Sequence, residues 1–130
     1  MKTLKFSFLI SALLFASVAI ADVFVIANSS VQLTGAEVRD VFVGDKQLAG
    51  AVKLIPVDNA NVQSQFLAKV MKVDVAKYGS IWIKKSFRDG LIPPAIKSGD
   101  AEVLDYVKKT VGAVGYVGSA PNGVTVVQKF

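Results

Sequence analysis

Residues 111–117 have the sequence Val111-Gly112-Ala113-Val114-Gly115-Tyr116-Val117, in which a glycine precedes a short apolar strand. Gly112 is suited to end a helix, and a helix is predicted before it, because apolar residues recur at helical spacing after Ser98-Gly99-Asp100. A further strand is expected over residues 124–127, joined to the first through Asn122-Gly123, a pair that favours a tight hairpin. The C-terminal segment is therefore predicted as helix, strand, turn and strand.

The same alternation of strands and helices is predicted toward the N-terminus. Val23-Phe24-Val25-Ile26-Ala27 is a continuous apolar run, typical of a strand that is buried on both faces. Thr34-Gly35-Ala36-Glu37 has the capping-box pattern, which predicts a helix over residues 35–43. Residues 52–57 are predicted as a second strand, in which Pro56 indicates an edge position or a strand end.

Two more helices are predicted in the middle of the chain. Asn61 is suited to cap the first and Asp74 the second, which is expected to end near residue 86. Residues 87–94 contain a glycine and a Pro-Pro pair and are expected to form an ordered loop. Strands interleaved with helices predict an α/β domain with a small mixed β-sheet and about four flanking helices. Three large aromatic side chains are expected in the core rather than in a ligand platform: Trp82, Phe87 and Tyr116.

The first 21 residues have the features of a secretory signal peptide. Lys2 and Lys5 precede an apolar run over residues 6–20, and the segment closes on Ala19-Ile20-Ala21. This run is shorter than the roughly 20 residues that a membrane-spanning helix needs, which favours cleavage over retention as an anchor. We therefore expect residues 1–21 to be a signal peptide, residues 22–130 to form one domain, and the mature protein to be periplasmic or otherwise exported.

The composition excludes several classes of active site. The chain contains no histidine and no cysteine, which excludes Ser-His-Asp and Cys-His catalysis, zinc sites with those ligands, and disulfides. Without Lys2 and Lys5 the net charge falls from +5 to about +3, and the basic residues are scattered, so no nucleic-acid partner is expected. Asp45 and Asp89 lack a paired acid or base at a recognisable spacing. We accordingly expect no enzymatic activity, no cofactor and no metal site.

Taken in order, these segments resemble the phosphate-type substrate-binding proteins of ABC importers, which have a periplasmic-binding-protein-like fold of type 2. The resemblance covers nearly all of residues 22–130 and implies a small member of the family that retains about one lobe. Four segments carry it: residues 33–44, Tyr78-Gly79-Ser80-Ile81-Trp82, Phe87-Arg88-Asp89-Gly90-Leu91-Ile92-Pro93-Pro94, and residues 111–117.

The resemblance also implies an anion-binding site after the second predicted strand. Larger members grip an oxyanion with a loop and a helix N-terminus at this point, where free amides and the helix dipole favour negative charge. In this chain the matching residues are Asn59, Ala60, Asn61, Gln63 and Ser64, with Thr34 as a further candidate. Asn61 and Thr34 have a simpler explanation as helix caps. Larger members have an Arg near the start of this loop, whereas this chain has Asp58, which is expected to repel phosphate at the mouth of the site.

Two functions stay open at this point. The resemblance implies an exported, solute-binding-like protein that binds phosphate or another small oxyanion weakly, in partnership with an ABC permease. The alternative is an interaction module that keeps the same fold, has lost the ligand and works with an envelope protein. A homodimer, in which a second copy supplies the missing lobe, is compatible with either function.

Overall fold

The computed structural model describes residues 21–130, so the predicted signal peptide lies outside the described residues except for Ala21. None of the helices within residues 21–130 is long and apolar enough to cross a membrane. The elements follow one another in this order: β1 (Phe24–Ala27), a 3-10 turn (Gly35–Glu37) that continues into α1 (Val38–Phe42), β2 (Leu48–Ala49), β3 (Val52–Lys53), β4 (Ile55–Asn59), α2 (Gln63–Phe66) with a π-helical continuation (Leu67–Met71), α3 (Val75–Asp89), β5 (Ala95–Lys97), α4 (Asp100–Lys109), β6 (Ala113–Val117) and β7 (Thr125–Lys129).

A mixed five-stranded sheet organises the domain, with the strand order β5-β4-β6-β1-β7. β4 runs parallel to both β5 and β6, whereas β1 runs antiparallel to both β6 and β7. β2 and β3 pair only with each other, in a separate antiparallel ribbon. A mixed sheet with flanking helices confirms the predicted α/β fold class.

Helices cover both faces of the sheet and define two apolar clusters. Successive residues of a strand point to opposite faces, and in β1 Val25 therefore belongs to the larger cluster while Ile26 belongs to the smaller one. Side chains from α1, α2 and α3 complete the larger cluster, and α4 covers the smaller one. Gly115 in β6 permits this second contact, because a Cβ atom there would lie 2.7 Å from Cγ1 of Val103 in α4.

The predicted capping residues Thr34 and Asp74 are confirmed, Thr34 at the 3-10 turn that continues into α1 and Asp74 at α3, and one further helix start differs. The Glu37 carboxylate accepts hydrogen bonds from the backbone N–H and the hydroxyl of Thr34, both at 3.0 Å. Asp74 Oδ1 accepts one from the Lys77 N–H at 2.7 Å at the start of α3. The prediction that Asn61 caps the next helix is wrong, because α2 begins at Gln63 and Val62 is its N-cap.

The predicted hairpin through Asn122-Gly123 is also wrong. β6 and β7 do not pair with each other but lie on either side of β1, so the segment between them crosses from one end of β1 to the other. The physical reason is that the apolar strand β1 is buried and requires a hydrogen-bonded neighbour on each side. The need for two neighbours outweighs the local preference of an Asn-Gly pair for a tight turn.

Two boundaries differ from the predictions as well. α3 continues to Asp89, so the first residues of the expected loop are helical, and Gly90 ends the helix with a φ of 68°. The predicted strand over residues 52–57 is divided into β3 and β4. Pro56 lies in an internal strand, yet β5 pairs with β4 only at Val57–Asn59, so Pro56 is paired on one side only, with Val114 of β6.

Candidate functional site

The carboxyl ends of the parallel strands β4 and β6 lie together, which is where open α/β sheets commonly bind ligands. Asn59, the last residue of β4, is fully buried there. Its Nδ2 donates to Oδ1 of Asp100 at 2.8 Å and to the carbonyl of Tyr116 at 3.0 Å. Its Oδ1 accepts a hydrogen bond from the Asn61 N–H at 3.1 Å. The Asn59 side chain therefore joins β4, β6, α4 and the following loop.

Backbone amides at the start of this loop are also paired within the protein. The Ala60 N–H donates to the carbonyl of Lys97 at 2.9 Å, and the Val62 N–H donates to the carbonyl of Asn59 at 3.1 Å. The Asn61 N–H is held by the Asn59 side chain. α2 itself has only four residues before it changes to π-helical geometry. The loop after β4 consequently has no free amide before residue 63.

A carboxylate of the protein occupies the centre of this region. Asp100, the first residue of α4, accepts hydrogen bonds from Asn59 Nδ2 and from the Gly118 N–H, the latter at 3.2 Å to Oδ1 and 3.1 Å to Oδ2. A negative side chain at the first residue of a helix is also favoured by the helix dipole. Asp100 thus receives the kind of side-chain and backbone donors that a bound oxyanion would need.

Asp58 does not lie at the mouth of the loop, and that expectation is wrong. It is a residue of β4, is buried, and accepts hydrogen bonds from the hydroxyls of Tyr116 at 2.8 Å and Tyr78 at 2.9 Å. Burial raises the pKa of its carboxyl above the usual range, while the two hydroxyl donors lower the pKa in part. Burial, and next the charge of Asp58, raises the pKa of both tyrosines. Asp58 is therefore part of a buried polar network in the larger cluster.

The remaining predicted site residues do not form one constellation. Asn61 and Ser64 are exposed beyond β4, and Gln63 lines a groove that begins there. Thr34 donates hydrogen bonds to the Glu37 carboxylate from its backbone N–H and its hydroxyl. The bond from the Thr34 backbone, and next those from Lys46 and the Thr34 hydroxyl, lower the pKa of Glu37 to about 2. Within residues 21–130 the hydrogen bonds of Thr34 are all with Glu37, and none joins it to the loop after β4. No group of acidic side chains in these residues could hold a metal ion.

An apolar groove lies between α3 and β5 and is called here the α3–β5 groove. Its volume is about 690 Å³. Tyr78, Trp82 and Asp58 lie at its base. Its sides are formed by α3 and by β5 with the segment before it: Val75, Gly79, Ile83, Ser86 and Phe87 on one side and Pro93, Pro94 and Ile96 on the other.

The prediction that Phe87 lies in the core is wrong, and its exposure marks an apolar surface on α3 that was not predicted. Trp82 and Tyr116 are buried as expected, but Phe87 is 96% exposed. The signal was present in the sequence, because Val75, Gly79, Ile83 and Phe87 recur every four residues and so share one side of α3. The sequence-based expectation instead places Phe87 in the loop after this helix and in the core, whereas only Tyr78 and Trp82 of α3 are buried.

No protein-family model and no curated protein sequence matches this chain. Among solved structures, its fold is similar to that of an ABC-type phosphate transport receptor from Vibrio cholerae, with a TM-score of 0.50 and 14% sequence identity. The match covers 84% of this chain and 47% of the receptor, so this chain spans about half of the receptor's length. At this identity the similarity shows a likeness of fold alone, to a protein with the periplasmic-binding-protein fold.

Proposed function

We propose that this chain is an exported, non-enzymatic protein that uses a periplasmic-binding-protein-like lobe as an interaction module of the cell envelope. The carboxylate of Asp100 is the observation that carries this proposal. It accepts hydrogen bonds from Asn59 Nδ2 and from the Gly118 N–H at the carboxyl ends of β4 and β6. An oxyanion receptor needs such donors to be free for its ligand.

The negative charge of Asp100 also disfavours binding of an anion at this position. A second negative charge about 4 Å from Asp100 would be repelled by about 1 kcal/mol in water and by about 4 kcal/mol at the lower effective dielectric of a partly buried site. The backbone amides of residues 60–62 offer no compensation, because each of them already donates a hydrogen bond. These features favour a function through protein contacts over the capture of phosphate.

Export and the absence of catalysis belong to the same proposal. The order of Lys2, Lys5, an apolar run and Ala19-Ile20-Ala21 supports removal of residues 1–21 during secretion. The lack of histidine and cysteine supports a non-enzymatic role. The partner is then an envelope protein, of which an ABC permease is one class.

Weak oxyanion binding is the second candidate function. It is favoured by the side chains of Gln63 and Ser64, which form no hydrogen bond within residues 21–130 and lie at the start of α2, after the loop that follows β4. The fold similarity to a phosphate receptor is compatible with it. With one lobe the anion would remain partly hydrated, so we expect an affinity for phosphate no tighter than about millimolar.

Calorimetric titration of the purified protein with phosphate and with sulfate tests the proposal. We expect no binding below about millimolar concentrations of either anion. A matched pair of variants, Ser64→Ala and Ser119→Ala, separates weak binding after β4 from non-specific effects, since both serines are exposed and only Ser64 belongs to the candidate site. Micromolar phosphate binding by the monomer would refute the interaction module as the primary function.

A further inference from the structure

α3 carries a second apolar surface that its own domain does not cover. Val75, Ile83 and Phe87 are 53%, 72% and 96% exposed, respectively, although Tyr78 and Trp82 on the adjoining side of the helix are buried. Isolated exposed apolar residues are common, but a contiguous apolar surface usually marks an interaction site. These three side chains and the opposite wall at Pro93, Pro94 and Ile96 form one continuous groove.

The shape of the groove suits a helix. The stripe from Val75 to Phe87 extends over about 18 Å, which is roughly three helical turns. Gly79 leaves an opening in its middle, because apart from its chain neighbours and the backbone of α3 itself no atom lies within 4 Å of the position that a Cβ would occupy there. Side chains spaced by four residues form the ridges against which a second helix packs. A partner helix could therefore place a large apolar side chain over Gly79, between Val75 and Ile83.

The charges beside the groove are mainly positive. Lys77, Lys84 and Arg88 share the solvent-facing side of α3, next to the apolar stripe. Lys77 and Lys84 form no ion pair among residues 21–130, whereas Arg88 pairs with the adjacent Asp89 at 3.2 Å. The Lys97 ammonium on the β5 side lies over the ring of Tyr106 and so belongs to the other face of the sheet. A binding partner would meet free cations along one margin only.

We propose that the α3–β5 groove binds an amphipathic helix of a partner protein, with an apolar stripe toward Ile83 and Phe87 and acidic residues beside Lys84. This inference rests on the proposed interaction function and specifies its surface and the chemistry of its partner. Apolar contacts supply the affinity and the charged margin supplies the orientation and the selectivity. A second copy of this chain is disfavoured as the occupant, because it would bring the same cationic α3 toward its own cations.

Two synthetic amphipathic peptides of about 18 residues test this inference. Both carry leucine at the same helical stripe, and they differ only in having glutamate or lysine beside it. We expect the acidic peptide to bind the purified protein at least about tenfold more tightly than the basic one, measured by fluorescence anisotropy. Ile83→Asp should abolish binding of the acidic peptide, and Lys84→Glu should weaken it roughly threefold.

Val111→Asp is the matched control for Ile83→Asp. Val111 is 66% exposed and lies after α4, away from the groove, so this variant should bind the acidic peptide as the wild type does. Equal affinity for both peptides, or binding that survives Ile83→Asp, would overturn the inference. Two other results would also overturn it. A concentration-dependent dimer in sedimentation that Ile83→Asp abolishes would assign the groove to a second copy. Charge-dependent binding to vesicles of phosphatidylglycerol, without peptide binding, would assign the groove to a membrane.

The phosphate titration keeps the two proposals separate. Failure of the acidic peptide to bind, in the absence of phosphate binding, would remove the helix partner and leave the interaction module intact. Micromolar phosphate binding would remove the interaction module itself, whatever the peptides do.

Discussion

Replacing Trp82 by alanine should severely destabilise the domain. Trp82 is 6% exposed, and its indole Nε1 donates a hydrogen bond to the carbonyl of Phe42 at 3.0 Å. Its ring also packs beside Gly44, where a Cβ would lie 3.0 Å from Trp82 Cη2. Truncating a buried tryptophan to alanine costs about 3 to 5 kcal/mol. This is a large share of the roughly 5 to 15 kcal/mol that stabilises a domain of this size.

A second variant separates packing from hydrogen bonding at the same position. Trp82→Phe retains an aromatic ring but leaves the Phe42 carbonyl without its donor, which should cost about 1 to 3 kcal/mol for a buried acceptor, in addition to a smaller loss of packing. Ile83→Ala is the control, because Ile83 is the next residue of α3 and is 72% exposed. Its effect should lie within about 0.5 kcal/mol of the wild type.

Urea unfolding followed by circular dichroism measures all three variants without depending on tryptophan fluorescence. We expect the unfolding free energies to fall in the order wild type, Ile83→Ala, Trp82→Phe and Trp82→Ala, with the first two close together. If Trp82→Ala unfolded at the same urea concentration as Ile83→Ala, the burial of Trp82 and its bond to Phe42 would be refuted.

Three further predictions concern Asp58, Asp100 and the N-terminus. Because the pKa of Asp58 is raised in the folded state, its contribution to stability is fully present below its unfolded pKa and is lost as the pH rises through its folded pKa. Urea unfolding from about pH 4 to 8 should therefore show Asp58→Asn gaining stability relative to the wild type as the pH increases, and a constant difference would contradict this. Asp100→Ala removes the acceptor of the Gly118 N–H and one of the two acceptors of Asn59 Nδ2; it should cost about 1 to 3 kcal/mol and strengthen phosphate binding, whereas the exposed Asp105→Ala should do neither. The exported protein should begin at Asp22 by intact-mass measurement, and recovery of a membrane-bound chain that begins at Met1 would refute cleavage.

Local patterns predicted the helices and most of the strands of this domain. The capping box at Thr34 and Glu37 and the cap at Asp74 depend only on residues within one helical turn, and both were recognisable from spacing. The predicted hairpin at Asn122-Gly123 does not form, because strand pairing is decided by distant residues. β1 lies between β6 and β7, and nothing near Asn122 encodes that position.

The candidate site was less predictable for the same reason. Asn59 forms a hydrogen bond with Asp100, 41 residues away in the sequence, and Asp58 forms one with Tyr116, 58 residues away. A sequence-based search finds Asn59 as the residue that follows a strand, but it cannot detect that a carboxylate from another helix meets its amide. Phe87 shows the complementary difficulty, because helical spacing groups apolar residues on one side without revealing whether the domain or a partner covers them.

The central claim is that Asp100 holds the donors that an oxyanion would require. Nuclear magnetic resonance tests it most directly, by following the backbone amide of Gly118 and the side-chain amide of Asn59 during a phosphate titration. Both resonances should stay unchanged in the wild type up to about 1 mM phosphate, and both should shift progressively in Asp100→Ala. Saturable shifts of the two wild-type resonances at micromolar phosphate would contradict the claim.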